Sequence, residues 1–132
     1  MDRLLGAWSL QSSVTYRDEV PSHSYSEKPR GQIQYTEDGR MSGFLMHPDW
    51  RARGTNATKE DELFLAYAGA WTIVGDEVRH AVEFCTIPNW IGRELVRRFR
   101  FFDDCVELST APETSKSGAT YVTKLIWRKM RR

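Results

Sequence analysis

Two ionisable side chains fall on apolar strand faces, and chemistry would start from them. Counting by twos from Val78 puts Val78, His80, Val82, Phe84 and Thr86 on one side of a strand, with Glu77, Arg79, Ala81, Glu83 and Cys85 on the other. The same count through ELVRRFRFF groups Leu95, Arg97, Phe99 and Phe101. His80 and Arg97 therefore point into the core from neighbouring strands. Desolvation and the nearby like charge both disfavour the imidazolium, so His80 is expected neutral and able to act as a base. Arg97 would stabilise a developing oxyanion, and Tyr35, Tyr67 or Tyr121 would donate a proton. These are the parts for an enolisation, cyclisation or dehydration that needs no cofactor. The competing reading makes His80 and Arg97 core polar groups, satisfied by Tyr67, Tyr121 and backbone.

The elements that must hold these groups are short and β-rich. Eight strand-like segments run Ala7–Arg17, Gly31–Glu37, Arg40–His47, Ala66–Val74, Glu77–Thr86, Arg93–Phe102, Cys105–Thr110 and Ala119–Lys129. Asp38-Gly39 and Gly75-Asp76 are hairpin signals, with Asp103-Asp104 a weaker one, and none leaves room for a crossover helix. An antiparallel meander of eight strands removes its edges by closing, which predicts an all-β, eight-stranded up-and-down barrel. One short helix is expected between the third and fourth strands, from Thr58 to Leu65, with Pro48–Ala57 as a lid over the barrel mouth.

At 132 residues the chain fits one domain, spanning 1–132, that buries about two-thirds of its unfolded surface. Its 19 basic and 18 acidic residues leave a net charge of +1, which gives no general attraction to nucleic acid or to an anionic membrane. No apolar run reaches the ~20 residues of a membrane span and no signal-type segment opens the sequence, so a cytoplasmic monomer or homodimer is expected. Cys85 and Cys105 are read as free thiols. No Cys/His spacing suggests a metal site, and His80 lacks a second ligand in phase.

Gly6-Ala7-Trp8 in the first strand and Trp127-Arg128 in the last resemble the lipocalin and wider calycin pattern, in which an early tryptophan closes one barrel end and a late arginine packs across it. More specific are IQYTEDGRMSGFLMHPD at 33–49, LAYAGAWTIVGDEVRHAVEF at 65–84, PNWIG at 88–92 and LIWRK at 125–129. Together they resemble the lipocalin-like domain family of small bacterial and fungal barrels over nearly the whole chain. The family pattern maps to Tyr35, Asp38, Gly39 and Met41, to Tyr67-Ala68-Gly69, to His80, Val82 and Glu83, to Pro88-Asn89-Trp90, and to Arg97. One departure is Asp103-Asp104-Cys105, where the family commonly places a glycine. Related barrels in natural-product pathways include cofactor-free cyclases and isomerases, so the resemblance implies a small hydrophobic ligand and leaves catalysis to be argued from residues.

The catalytic set expected from the sequence is His80, Arg97, Tyr67 and Tyr121. Tyr35, Trp71, Phe84, Asn89, Trp90, Phe99, Thr123, Met41 and His47 are expected to bind the ligand. The two in the third strand follow from facing Met41, Leu45 and His47 inward in preference to Phe44 and Met46. The lumen also takes Ser12 and Val14 from the first strand. It contains no acidic residue, so Arg97 has no protein carboxylate partner and calls for an acidic or enolic group on an aromatic or polycyclic ligand. The expected function is binding such a molecule, with isomerisation, cyclisation or dehydration in natural-product biosynthesis. The alternative is a carrier with the same pocket.

Overall fold

A computed structural model describes residues 2–53 and 63–131. Ten strands form one antiparallel sheet: β1 (Gly6–Arg17), β2 (Val20–His23), β3 (Arg30–Tyr35), β4 (Arg40–Met46), β5 (Phe64–Val74), β6 (Glu77–Cys85), β7 (Glu94–Phe102), β8 (Cys105–Thr110), β9 (Glu113–Thr114) and β10 (Thr120–Lys129). Each long strand pairs with the next, and β10 returns to pair with β1 from Trp8↔Lys129 to Arg17↔Tyr121, closing a ring of eight. Closure leaves these strands without a free edge. The short β2 and β9 lie outside the ring, extending β1 and β10 at one end. Among the described residues no helix is long and apolar enough to cross a membrane.

The eight expected strands match to within two residues at each boundary, and β2 and β9 are additional. Phe102↔Cys105 makes the β7–β8 connection a two-residue hairpin, and Asp103, at φ 49, takes the left-handed conformation that the family gives to glycine. The short helix is α1 (Trp50–Arg53), inside the segment expected to be a lid. Most of the helix expected over 58–65 lies outside the described residues, and its last positions, Phe64 and Leu65, already belong to β5.

Two bulges correct the period-two reading. Leu10 pairs with Trp127 but Ser12 with Ile126, so Gln11 is an extra residue in β1. Beyond it Ser13 and Thr15 face inward, and the expected Ser12 and Val14 do not. In β6, Gly69 pairs with Val82 but Ala68 with Phe84, which makes Glu83 the extra residue. Phe84 is consequently turned outside and is 63% exposed, while Cys85 turns in against the core. Gly69 permits this bulge, because a Cβ there would collide with the Ala81 carbonyl. Gly69→Ala is expected to lower unfolding free energy by about 1–3 kcal/mol, the range for overpacking. A denaturant midpoint equal to the parent's would show that the bulge tolerates the methyl group.

One barrel end is sealed. The Trp8 indole donates to the Leu4 carbonyl (2.9 Å), the Arg3 guanidinium covers Phe101 at 4.0 Å, and Lys129 Nζ lies 4.8 Å from the Trp8 ring centroid while bonding the Leu5 carbonyl. The cation across the early tryptophan is thus Lys129, not Arg128. Lys129 is in phase with Trp127 and Leu125, whereas Arg128 is turned out beside Asp104 (3.6 Å).

Candidate functional site

Above the seal the barrel encloses a cavity of about 410 Å³, within the range of ligand pockets. Ile33, His80, Leu108 and Trp127 are buried deep in it, while Arg93 and Glu113 are exposed at the mouth. Leu45, Leu65, Leu95 and Leu125 supply apolar wall between them.

The buried polar centre is a chain of three rings. His80, 0% exposed, has Nε2 2.8 Å from the Tyr35 hydroxyl and Nδ1 3.0 Å from the Tyr67 hydroxyl. Burial, reinforced by the Arg97 charge, pushes its pKa down to about 3, so the imidazole is neutral and has one donor and one acceptor nitrogen. Burial also keeps both phenols protonated. Tyr67 is raised to about 12 against the opposing pull of Arg97, and Tyr35 is raised well above the usual value. Donor accounting assigns the direction. Tyr35 lies outside the cavity lining with His80 Nε2 as its hydrogen-bond partner, so its O–H donates there. Nδ1–H then donates to the Tyr67 oxygen, which leaves the Tyr67 O–H to donate into the cavity.

Arg97 enters the lining from β7, opposite Val78 and Thr110. Its guanidinium donates to the Val96 carbonyl (3.1 Å) and, among the described residues, pairs with no carboxylate. Its charge bears on Tyr35, Tyr67 and His80 together. Tyr67 and Arg97 therefore offer the cavity a phenolic O–H and a guanidinium side by side, which suits a carbonyl, enolate or phenolate oxygen.

Of the residues expected at the site, His80, Arg97, Tyr67, Tyr121, Trp90 and Thr123 line the cavity. Tyr121 sits on β10 towards the mouth, its hydroxyl accepting from Arg17 Nε (3.1 Å). Tyr35 and Trp71 stand behind the lining, their rings 5.0 Å apart, and the Trp71 indole donates to the Thr36 carbonyl (3.0 Å). Met41 is buried core, confirming the inward phase of β4, and Phe99 packs on Phe101 at 5.5 Å, below the cavity. Asn89 is exposed outside the lining, Phe84 is on the outer surface, and His47 is in a loop with Nδ1 accepting from the Asp49 amide (3.0 Å). Glu83 points outward to Arg40 (2.8 Å), whose hydrogen bond holds its carboxyl below the usual range.

Ser13, Thr15, Ser24, Tyr25, Arg93, Thr110, Glu113 and Trp127 join the lining without having been expected at the site. Glu113 corrects the expectation of an acid-free lumen, and Arg93 adds a second cation; both belong to the rim. Trp127 was detectable, since it continues the phase of Thr123 and Leu125. Ser24, Tyr25 and Glu113 come from short segments folded over the mouth, where no periodicity applies. Residues 48–52, from the expected lid, do not line the cavity; Trp50 instead stacks on Phe64 at 5.5 Å.

The closed eight-strand ring, sealed below and hollow above, agrees with a sequence match of residues 5–130 to the family described as the lipocalin-like domain. The chain belongs to that family. Over 77 residues this lipocalin-like chain is 35% identical to a 4'-hydroxy-3'-methoxypropiophenone carrier protein of Aspergillus oryzae, covering 52% of this chain and 69% of the relative. Its fold matches that of a lipocalin-like protein from Bacteroides uniformis with a TM-score of 0.52 at 14% identity, covering 97% of this chain and 99% of the other. A lipocalin-like barrel with such a cavity supports small-molecule binding.

Proposed function

We propose that the barrel binds and carries a small aryl molecule bearing a phenolic, enolic or ketone oxygen, held by Arg97 and Tyr67. The observation that carries this reading is a guanidinium that lines the barrel cavity and, among the described residues, pairs with no carboxylate, beside a phenol whose hydroxyl is engaged by His80 at the same wall. The relative's named cargo, a hydroxymethoxyphenyl ketone, has the matching chemistry. Free Cys85 and Cys105 suit the reducing cytoplasm, and the mixed rim of Arg93 and Glu113 gives no footing for nucleic acid.

Titration with 4'-hydroxy-3'-methoxypropiophenone tests the reading, with the fluorescence of Trp90 and Trp127 reporting occupancy. About 13 non-hydrogen atoms at roughly 0.5 kcal/mol each correspond to a Kd of about 20 μM. A flat titration to millimolar concentration would remove this class of ligand.

A second reading, cofactor-free isomerisation, cyclisation or dehydration, draws on the Tyr67 proton and the Arg97 charge meeting at one position, where they would stabilise the enolate formed when hydroxide from solvent takes the α-proton and becomes water. In it His80 is a positioning residue for Tyr67, since both of its nitrogens are engaged by phenols. Exchange of the ketone's α-protons for deuterium above the buffer rate, abolished in Tyr67→Phe, would decide for catalysis; exchange at the buffer rate leaves the carrier.

A further inference from the structure

Two buried donors on the far wall of the cavity have no partner. Ser13 Oγ and Trp127 Nε1 belong to residues only 1% exposed, both line the cavity, and neither makes a hydrogen bond among the described residues. Their neighbours do. Trp8 and Trp71 each donate to a carbonyl, and Thr15, the next inward position on β1, lies 2.6 Å from the Ser24 hydroxyl and 3.0 Å from that of Thr123. Among the described residues the one other buried side-chain polar atom without a partner is Arg79 Nε, which lies off the cavity lining in a guanidinium already paired with Glu77 and Glu94, so within the lining such atoms are confined to this place. A buried donor left unmade costs stability, and such groups in a cavity wall are explained by what the cavity receives.

Strand order gives the position. In the ring β1-β3-β4-β5-β6-β7-β8-β10, β1 stands four strands from β6 and β10 four strands from β5. Ser13 and Trp127 therefore occupy the wall across from His80 and Tyr67. An indole N–H is a donor only, so its partner has to be an acceptor.

We infer that Ser13 and Trp127 form a second subsite, for a ketone or ether oxygen, at the end of the ligand opposite the oxygen held by Arg97 and Tyr67. The ligand class narrows to aryl molecules oxygenated at both ends, the more acidic phenolic oxygen facing the guanidinium and the neutral one facing the hydroxyl and indole. The inference rests on the binding reading above.

Calorimetric titration with two probes, 4'-hydroxypropiophenone and 4-propylphenol, separates the two claims, because both probes carry the phenol and only the first carries the ketone. In the parent the ketone probe binds tighter. In Ser13→Ala and Trp127→Phe that preference is expected to shrink about 3- to 10-fold, the scale of one hydrogen bond, with 4-propylphenol affinity in each variant as the reference for any change in the wall itself. Ser13→Ala is also expected to melt at or above the parent temperature, since it removes an unpaired buried hydroxyl, and it carries the test alone if Trp127→Phe does not fold. A preference unchanged in Ser13→Ala overturns the subsite and leaves the binding reading intact. Failure of both probes to bind the parent overturns the binding reading, and the subsite with it.

Discussion

His80→Leu is expected to destabilise the protein by about 3 kcal/mol or more, although the substitution is apolar and lies in a core. Two phenols, Tyr35 and Tyr67, lose their partner, and each buried hydroxyl left unpaired costs roughly 1–3 kcal/mol. The variant should also lose a pH dependence. In the unfolded chain His80 takes a proton near pH 6.5, but in the folded barrel only near 3. Between those values the unfolded state holds more protons, so the parent loses stability as pH falls through the window, at up to about 1.4 kcal/mol per unit from this group. Above pH 6.5 the contribution is fully present. Urea unfolding of parent and variant at pH 7 and pH 4.5 measures both effects. Equal slopes against pH in the two proteins would mean that His80 is not held neutral by the fold.

Arg97→Leu is expected to act on the ligand and spare the fold. A hydrogen bond to a charged group contributes about 1.5–3 kcal/mol, so affinity for 4'-hydroxy-3'-methoxypropiophenone should fall roughly 10- to 100-fold. Unfolding free energy should hold or rise, because the change removes a half-buried cation that, among the described residues, has no carboxylate to leave behind. Titration and thermal unfolding of one preparation read the two together. Parent-like affinity would show that the ligand's oxygen is not at the guanidinium. Joint loss of affinity and fold would make Arg97 a structural residue.

How much of this was legible follows from what a linear pattern can encode. The alternation through β6 and β7 is unbroken between Val78 and Val82 and between Leu95 and Phe101, so His80 and Arg97 could be placed inward from sequence. Asp38-Gly39 was equally legible: Gly39 adopts φ 86 and its amide donates to the Thr36 carbonyl (3.1 Å). Phe84 was not, because a bulge adds a residue without altering residue types, and its signal is a glycine on the partner strand, at Gly69. Tyr67 was within reach as a partner of His80, since β5 and β6 are consecutive strands, but Tyr35 was not, because it lies 45 residues away on β3 and meets His80 only across the curved sheet.

The two bulges also bear on selectivity. A barrel closed at eight strands has a fixed girth, so its capacity depends on which side chains occupy the interior. The extra residues Gln11 and Glu83 rotate Val14 and Phe84 to the outside and bring Ser13, Thr15 and Cys85 to the inside. Each exchanges bulk for room in the half of the barrel nearest the mouth. Pairing Gln11 or Glu83 into the ladder, with the bulge lost, would return Val14 or Phe84 to the interior and narrow the range of molecules admitted, whereas deleting the extra residue would leave Ser13 and Cys85 facing in. Size discrimination among barrels built this way can therefore drift through the gain or loss of a bulge while the lining vocabulary of Leu, Tyr and Trp stays the same.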